Sequence, residues 1–466
     1  MAWPLSRVRR RTLAPLAMLV SALGRGETAD APPAGTATRQ TAEEGAQDEG
    51  APPAGEEGRA ERWRKERLEK AKRARPHRPG LLERFALYAE SGPKRGFLTF
   101  KLRDVYLRPV VIRSGSGVAA NLAYWDQLRA ESNFNVFASA SYSSHEYEAL
   151  ELRLGRVPHR AKKIPPRSSN VEETAPFAPR GADEGGGDGR FFLYANLRYR
   201  HLPRERFYGE GSASEREDGT SFRLQDMSYE AIAQYRFAPW IIGSARAGFL
   251  QADVGPGALP GVPSVEQRFD DLGAPGLAAQ PDFLTGGVEL LVDWRDQAGN
   301  PHRGGALNLS AMRFVDRGGG GAFHFNRFTL DARQFIPLGS PQRVLALRLM
   351  TLLSDPDDGS RVPFYLQDTL GGSRTLRGFD SFRFRGDKVL ALAAEYRWEA
   401  LPSLEFALFW DAGKAVDEIS DLNLRRLHRS WGGGLRVKSP DSTSFRFDVA
   451  RSTETTRCHL KFGFVF

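Results

Sequence analysis

The stretch Cys458-His459-Leu460-Lys461-Phe462-Gly463-Phe464-Val465-Phe466 alternates strictly. Leu460, Phe462, Phe464 and Phe466 fall two apart, with Lys461 and Gly463 between them. Successive side chains of a β-strand point to opposite faces, so one face of this segment is wholly apolar and aromatic. In water such a terminus would fray. Against lipid the same face is stable. The pattern predicts the closing strand of a transmembrane β-barrel, where each backbone group pairs with a neighbouring strand and outward side chains meet hydrocarbon.

The same texture recurs upstream. Leu193, Ala195, Leu197 and Tyr199 share one face, opposite Asn196, Arg198 and Arg200. Val288, Leu290, Val292 and Trp294 oppose Glu289, Asp293 and Arg295. Phe328, Leu330 and Ala332 oppose Arg327, Asp331 and Arg333, and Phe445, Phe447 and Val449 oppose Arg446 and Asp448. Alternation alone leaves a soluble sandwich and a membrane barrel both open, because the two differ only in which face looks outward. Connection lengths separate them. Tight turns at 237–239, 339–341, 400–402 and 439–441 alternate with long polar stretches at about 202–221, 253–282, 354–387 and 413–428. Short turns at one end and long loops at the other are the habit of outer-membrane barrels, and the count reaches about sixteen strands. The segment 156–189, rich in Pro and Gly, breaks the rule: it is long yet falls at the short-turn end, and reads as a disordered insertion.

The N-terminus reads as an export signal. Arg7, Arg9, Arg10 and Arg11 precede a short apolar run from Leu13 to Leu23, too short to span a bilayer, with cleavage expected between 22 and 31. Residues 32–80 are poor in large apolar side chains, acidic first and basic later, and a disordered charged extension is expected over 32–100. The barrel is expected over 101–466.

Composition agrees. Mean hydropathy of −0.44 is compatible with a barrel, in which only every other strand residue is apolar and the loops are polar. Cys458 is the only cysteine, which excludes an intramolecular disulfide and a multi-cysteine metal site. The formal charge of +9 is modest for 466 residues, and much of the Arg sits on polar strand faces, so a lumen wall rather than nucleic-acid binding is expected.

One longer motif is more specific. Leu370-Gly371-Gly372-Ser373-Arg374-Thr375-Leu376-Arg377-Gly378-Phe379 lies in the long stretch 354–387, followed by a strand carrying Glu395-Tyr396-Arg397. With Asp293-Trp294-Arg295-Asp296 before it, and Phe409-Trp410-Asp411-Ala412-Gly413 after it, this series resembles the bacterial surface antigen domain of the BamA/TamA-like outer-membrane assembly superfamily. The resemblance implies a sixteen-stranded barrel whose sixth long loop folds back into the lumen. It places the tip Arg377, Gly378 and Phe379 near Phe409 and Asp411, with Glu395, Arg397, Asp293 and Arg295 as lumen-facing support. It also makes Leu460, Phe462, Phe464 and Phe466 an assembly signal. Strand parity independently turns Asp411 toward the lumen, on the side opposite Phe406, Leu408 and Trp410. Residues 32–100 lack the alternating strands and amphipathic helices of the family's POTRA domains, so a member without them is expected.

The resemblance implies a barrel that assists insertion or translocation of client polypeptides, with outer-membrane lipid and the cell's barrel-assembly machinery as partners. A structural or pore-forming barrel without a client is the competing expectation. No cofactor, metal or nucleic acid is expected. His302, His324, His428 and His459 stand in no catalytic pattern, so no enzyme is expected. Asp355, Asp357 and Asp358 read as an acidic loop tip rather than a calcium site.

Overall fold

The computed structural model describes residues 100–129, 134–158, 189–297, 300–318, 320–401, 403–438 and 443–462. All lie in the second of two units, Arg78–Phe466. The expected signal 1–31, the extension up to residue 99, residues 159–188 of the insertion, and Phe464 and Phe466 lie outside the described residues, as does the side chain of Phe462.

The chain is nearly all strand. A three-residue arm, β1 (Phe100–Leu102), turns into β2 (Val105–Val110). There follow β3 (Ala119–Arg129), β4 (Phe134–Ser143), β5 (Glu148–Gly155) and three long strands, β6 (Phe191–Phe207), β7 (Thr220–Ala238) and β8 (Ile241–Pro256). Next come β9 (Asp282–Asp293), β10 (Gly304–Arg317), β11 (Phe325–Pro337) and β12 (Arg343–Pro356). Two short strands, β13 (Asp368–Leu370) and β14 (Phe384–Gly386), form a separate hairpin. The wall resumes with β15 (Lys388–Leu401), β16 (Leu404–Val416), β17 (His428–Lys438), β18 (Thr443–Ser452) and β19 (Thr456–Phe462).

Seventeen strands share one sheet, and removing the arm β1 leaves the sixteen of the barrel wall. Each wall strand pairs antiparallel with the next, β12 pairing directly with β15 across the long loop 357–387. Among the described residues β19 pairs with β18, and β2 with β1 and β3, so these two strands flank the seam. The fold is an antiparallel sixteen-stranded transmembrane barrel.

The alternation in the sequence sets the two faces. Leu408 is 66% and Val288 58% exposed on the outside, whereas Asp411 is 1% and Glu395 0% exposed on the inside. Leu193, Phe328, Phe447 and Leu460 also face outward, and Asp293, Asp331, Arg446 and Asp448 are buried inward. The outer face is therefore an apolar band with Trp240, Trp294 and Trp398 exposed near the tight-turn end, the site where amphipathic rings meet a bilayer interface.

Several boundaries differ from the sequence reading. The expected loop 202–221 narrows to 208–219, because β6 and β7 continue to Phe207 and from Thr220. Likewise β16 continues to Val416. These ends are polar and read as loop, but their backbone groups remain paired in the ladder above the apolar band. The long connection 156–190 joins β5 to β6 at the tight-turn end, as its place in the strand order requires.

Candidate functional site

The connection 357–387 is the sixth at the long-loop end. It is stiffened by its own hairpin, with Asp368 opposite Gly386 and Leu370 opposite Phe384. Gly371 and Gly372 take φ of 117° and 77°, a region side chains disfavour, and turn the chain sharply. Thr375 Oγ1 accepts the Gly371 N–H at 2.9 Å. The turn delivers Leu376-Arg377-Gly378-Phe379 into the lumen.

Arg377 is 3% exposed. Its Nε and Nη2 donate to the two carboxylate oxygens of Asp411 at 2.9 and 2.6 Å, a planar fork. Nη1 donates to Glu395 at 2.7 Å, and the guanidinium lies 3.5 Å from the centre of the Phe409 ring. The backbone N–H of Arg377 also donates to Asp411, at 3.2 Å, as does the Ser430 hydroxyl. Burial alone would push the guanidinium down; Asp411, then Glu395, outweigh it and hold the group above its ordinary value.

Glu395 gathers further cations. It accepts from Arg397 Nε at 2.8 Å and pairs with Arg436 at 2.7 Å. Arg436 reaches on to Glu405 at 3.0 Å, and Arg446 pairs with Asp448. Four arginines thus meet four carboxylates inside the wall of β15 to β18. Burying so many charges is tolerable only when each is paired. Small residues make the space: a Cβ on Gly432 would lie 2.6 Å from the Phe409 ring, and one on Gly434 would meet the Asp448 carboxylate.

The tip also grips the last hairpin. His459 Nε2 donates to the Arg377 carbonyl at 2.7 Å, and Ser452 Oγ to the Gly378 carbonyl at 2.7 Å. Arg383 pairs with Glu454 at 2.8 Å, and Asp380 pairs with Arg457. A Cβ on Gly378 would lie 2.7 Å from Ser430 and 2.8 Å from the Arg451 backbone, so only glycine lets the tip approach. Phe379 is 1% exposed, edge-on to Phe384 at 5.2 Å.

Of the residues singled out in the sequence, Arg377, Gly378, Phe379, Phe409, Asp411, Glu395 and Arg397 come together here. Asp293 and Arg295 do not join them. They pair with each other, Nε to Oδ1 at 2.9 Å and Nη2 to Oδ2 at 2.8 Å, where β9 ends. Leu460 faces outward on β19, and Phe462 stands opposite Phe445. The participation of Arg436, Arg446, Asp448 and His459 was not foreseen; the parity of Arg446 and Asp448 was visible, the convergence of the four was not. Asp357 forms an ion pair with Arg313 at the loop tip.

At the long-loop end, rings fill the mouth. Phe364 of the sixth loop packs 5.0 Å from both Phe207 and Phe222, with Val265 and Tyr365 in the same cluster. Beside it Gln367 Nε2 donates to Glu210 at 2.5 Å and Asp387 at 3.1 Å. Burial pushes Glu210 up to about 7 and Asp387 up to about 6.

A model of the Omp85 superfamily domain matches residues 277–466. Among solved structures, BamA from Haemophilus ducreyi lacking POTRA domains 1-3 is similar at 14% identity and TM-score 0.51, covering 75% of this chain and 66% of that one. CdiB from Acinetobacter baumannii is similar at 14% identity and TM-score 0.41, covering 78% and 58%. For CdiB from Escherichia coli the values are 12%, 0.44, 78% and 62%. The chain spans less than two thirds of the length of these structures. No curated protein matches the sequence. At these identities a structural likeness speaks for the fold alone; the match over 277–466 speaks for descent. Residues 277–466 of this sixteen-stranded barrel are similar to the Omp85 superfamily domain.

Proposed function

We propose that this chain is a bacterial outer-membrane barrel, long loops facing outward, that assists insertion or translocation of other polypeptides. Its partners on this reading are outer-membrane lipid, the cell's barrel-assembly machinery and unfolded client chains, and its work is not enzymatic. One observation carries the reading: the first seam strand is short, and the last is held from inside. β2 has 6 residues against 17 in β6 and 19 in β7. The hairpin that ends in β19 is fastened to the loop tip through His459, Ser452, Glu454 and Arg457. Releasing the tip would free an edge whose backbone groups can template an incoming strand.

The competing pore reading has the packed mouth against it. The Phe207, Phe222 and Phe364 cluster fastens the sixth loop to β6 and β7 at the long-loop end. The deciding experiment is a deletion strain. The insertion reading expects specific outer-membrane or exported proteins to fall in abundance and to return with the wild-type chain. An unchanged set of such proteins, with altered small-solute uptake, would give the case to the pore.

A further inference from the structure

The first wall strand carries a guest on its seam edge. Phe100, Lys101 and Leu102 of β1 stand opposite Leu107, Tyr106 and Val105 of β2. The same three residues of β2 pair on their other side with Leu122, Ala123 and Tyr124 of β3. A strand has two edges, so β1 must lie on the edge that looks toward β19. A two-residue turn sets it there, with Arg103 at φ 54° and the Asp104 carbonyl accepting the Trp125 N–H of β3 at 3.0 Å. Further along the same edge stands Pro109, which has no N–H to give. Residues 105–107 of the β2 edge are therefore taken by the chain itself, and Pro109 gives that edge no donor. Phe100 and Leu102 are 62% and 77% exposed, so side-chain packing adds little to the hold of β1, which rests on three backbone pairs.

We propose that β1 is an intramolecular placeholder. It occupies the β2 seam edge in place of an extended strand of an unfolded polypeptide, and must peel away before such a strand can pair there. The recognition is by main-chain hydrogen bonding with alternate apolar side chains facing lipid, so the partner is an amphipathic β-strand. The nature of that partner rests on the insertion reading above; the blocking of the edge does not.

The test uses the full chain with Cys458→Ser, to which Phe100→Cys and Leu107→Cys are added, so that oxidation fastens β1 to β2 and reduction frees it. The probe is a fluorescent synthetic peptide with the sequence 456–466, serine replacing its cysteine. In detergent the reduced protein should bind the peptide at least tenfold more tightly than the oxidised protein. Leu102→Pro, which removes the N–H that β1 presents to Val105 of β2 without any cross-link, should bind it more tightly than the parent. Heat-modifiable gel mobility reports that each form is folded. Equal affinity in both redox states, or no gain in Leu102→Pro, overturns the placeholder. The same proteins in liposomes are then given an unfolded outer-membrane barrel protein. Redox-sensitive peptide binding with insertion no better than in empty liposomes would leave the placeholder standing and remove the insertion reading. Insertion above that background but equal in both redox states would do the reverse.

Discussion

The two halves of the barrel use the same alphabet of inward polar residues to different ends. In β3 to β8 the contacts close within a strand or between neighbours: Asn121 with Ser141 at 2.8 Å, Arg200 with Asp226 at 2.6 Å, Arg153 with Glu151 at 2.6 Å. In β15 to β19 they converge, through Glu395 and Asp411, on one arginine brought from a loop. A wall of separate pairs can be written with many sequences, since each position needs only to be polar and inward. A converging network cannot, because every member must fit all the others. The Omp85 match covers 277–466, the part that contains the network.

Three measurements could break this comparison. The largest effect is expected from Glu395→Ala. That carboxylate is 0% exposed and serves Arg377, Arg397 and Arg436, so its loss leaves buried cations short of a partner. Removing one member of a buried pair costs about 3–5 kcal/mol. A large fall in the midpoint of heat-modifiable mobility is expected; a change as small as that of a surface substitution would show that the network is wet and dispensable.

An intermediate effect is expected with pH. Glu210 and Asp387 hold their protons more tightly in the packed mouth than when it opens, since burial pushes both up. Their contribution is complete below the ordinary carboxylate range and is lost as pH rises through about 6 to about 7. Amide exchange of the loops 208–219 and 357–387, corrected for intrinsic rates, should show greater protection at pH 5 than at pH 8, by roughly tenfold. Glu210→Gln should flatten the difference; protection that rises with pH would contradict the assignment.

The smallest effect belongs to the other half. Ser228 is buried on the inner wall, and its hydroxyl has no partner among the described residues. Replacing such a group by Ala removes no bond, so Ser228→Ala should shift stability by no more than about 0.5 kcal/mol. A loss comparable to that of Glu395→Ala would mean that β3 to β8 also holds a network.

The same contrast governs what could be read in advance. The faces of β9, β11, β16 and β18 were legible because a period of two is written along each strand. The tight turns were legible from proline and glycine. The sixth loop and its arginine were legible through the ordered motifs. What escaped depends on contacts across sequence distance. Arg446 and Asp448 lie on a strand whose inward side was visible and Arg436 on one that was not read, and nothing local brings any of them to Glu395. The arm β1, described over Phe100–Leu102, was not read as a strand. The upper ends of β6 and β7 were read as loop because Arg204, Glu205 and Arg206 are charged, although the ladder continues through them.

The central claim, that a fork between Arg377 and Asp411 fixes the loop tip in the lumen, is tested most directly by a double-mutant cycle. Arg377→Ala, Asp411→Ala and the pair are compared by unfolding midpoint in one detergent. The account predicts that each single change is costly and that the double change costs less than their sum, with a coupling of about 0.5–3 kcal/mol. Strict additivity would mean that the two side chains do not hold one another, and the latch would have to be abandoned.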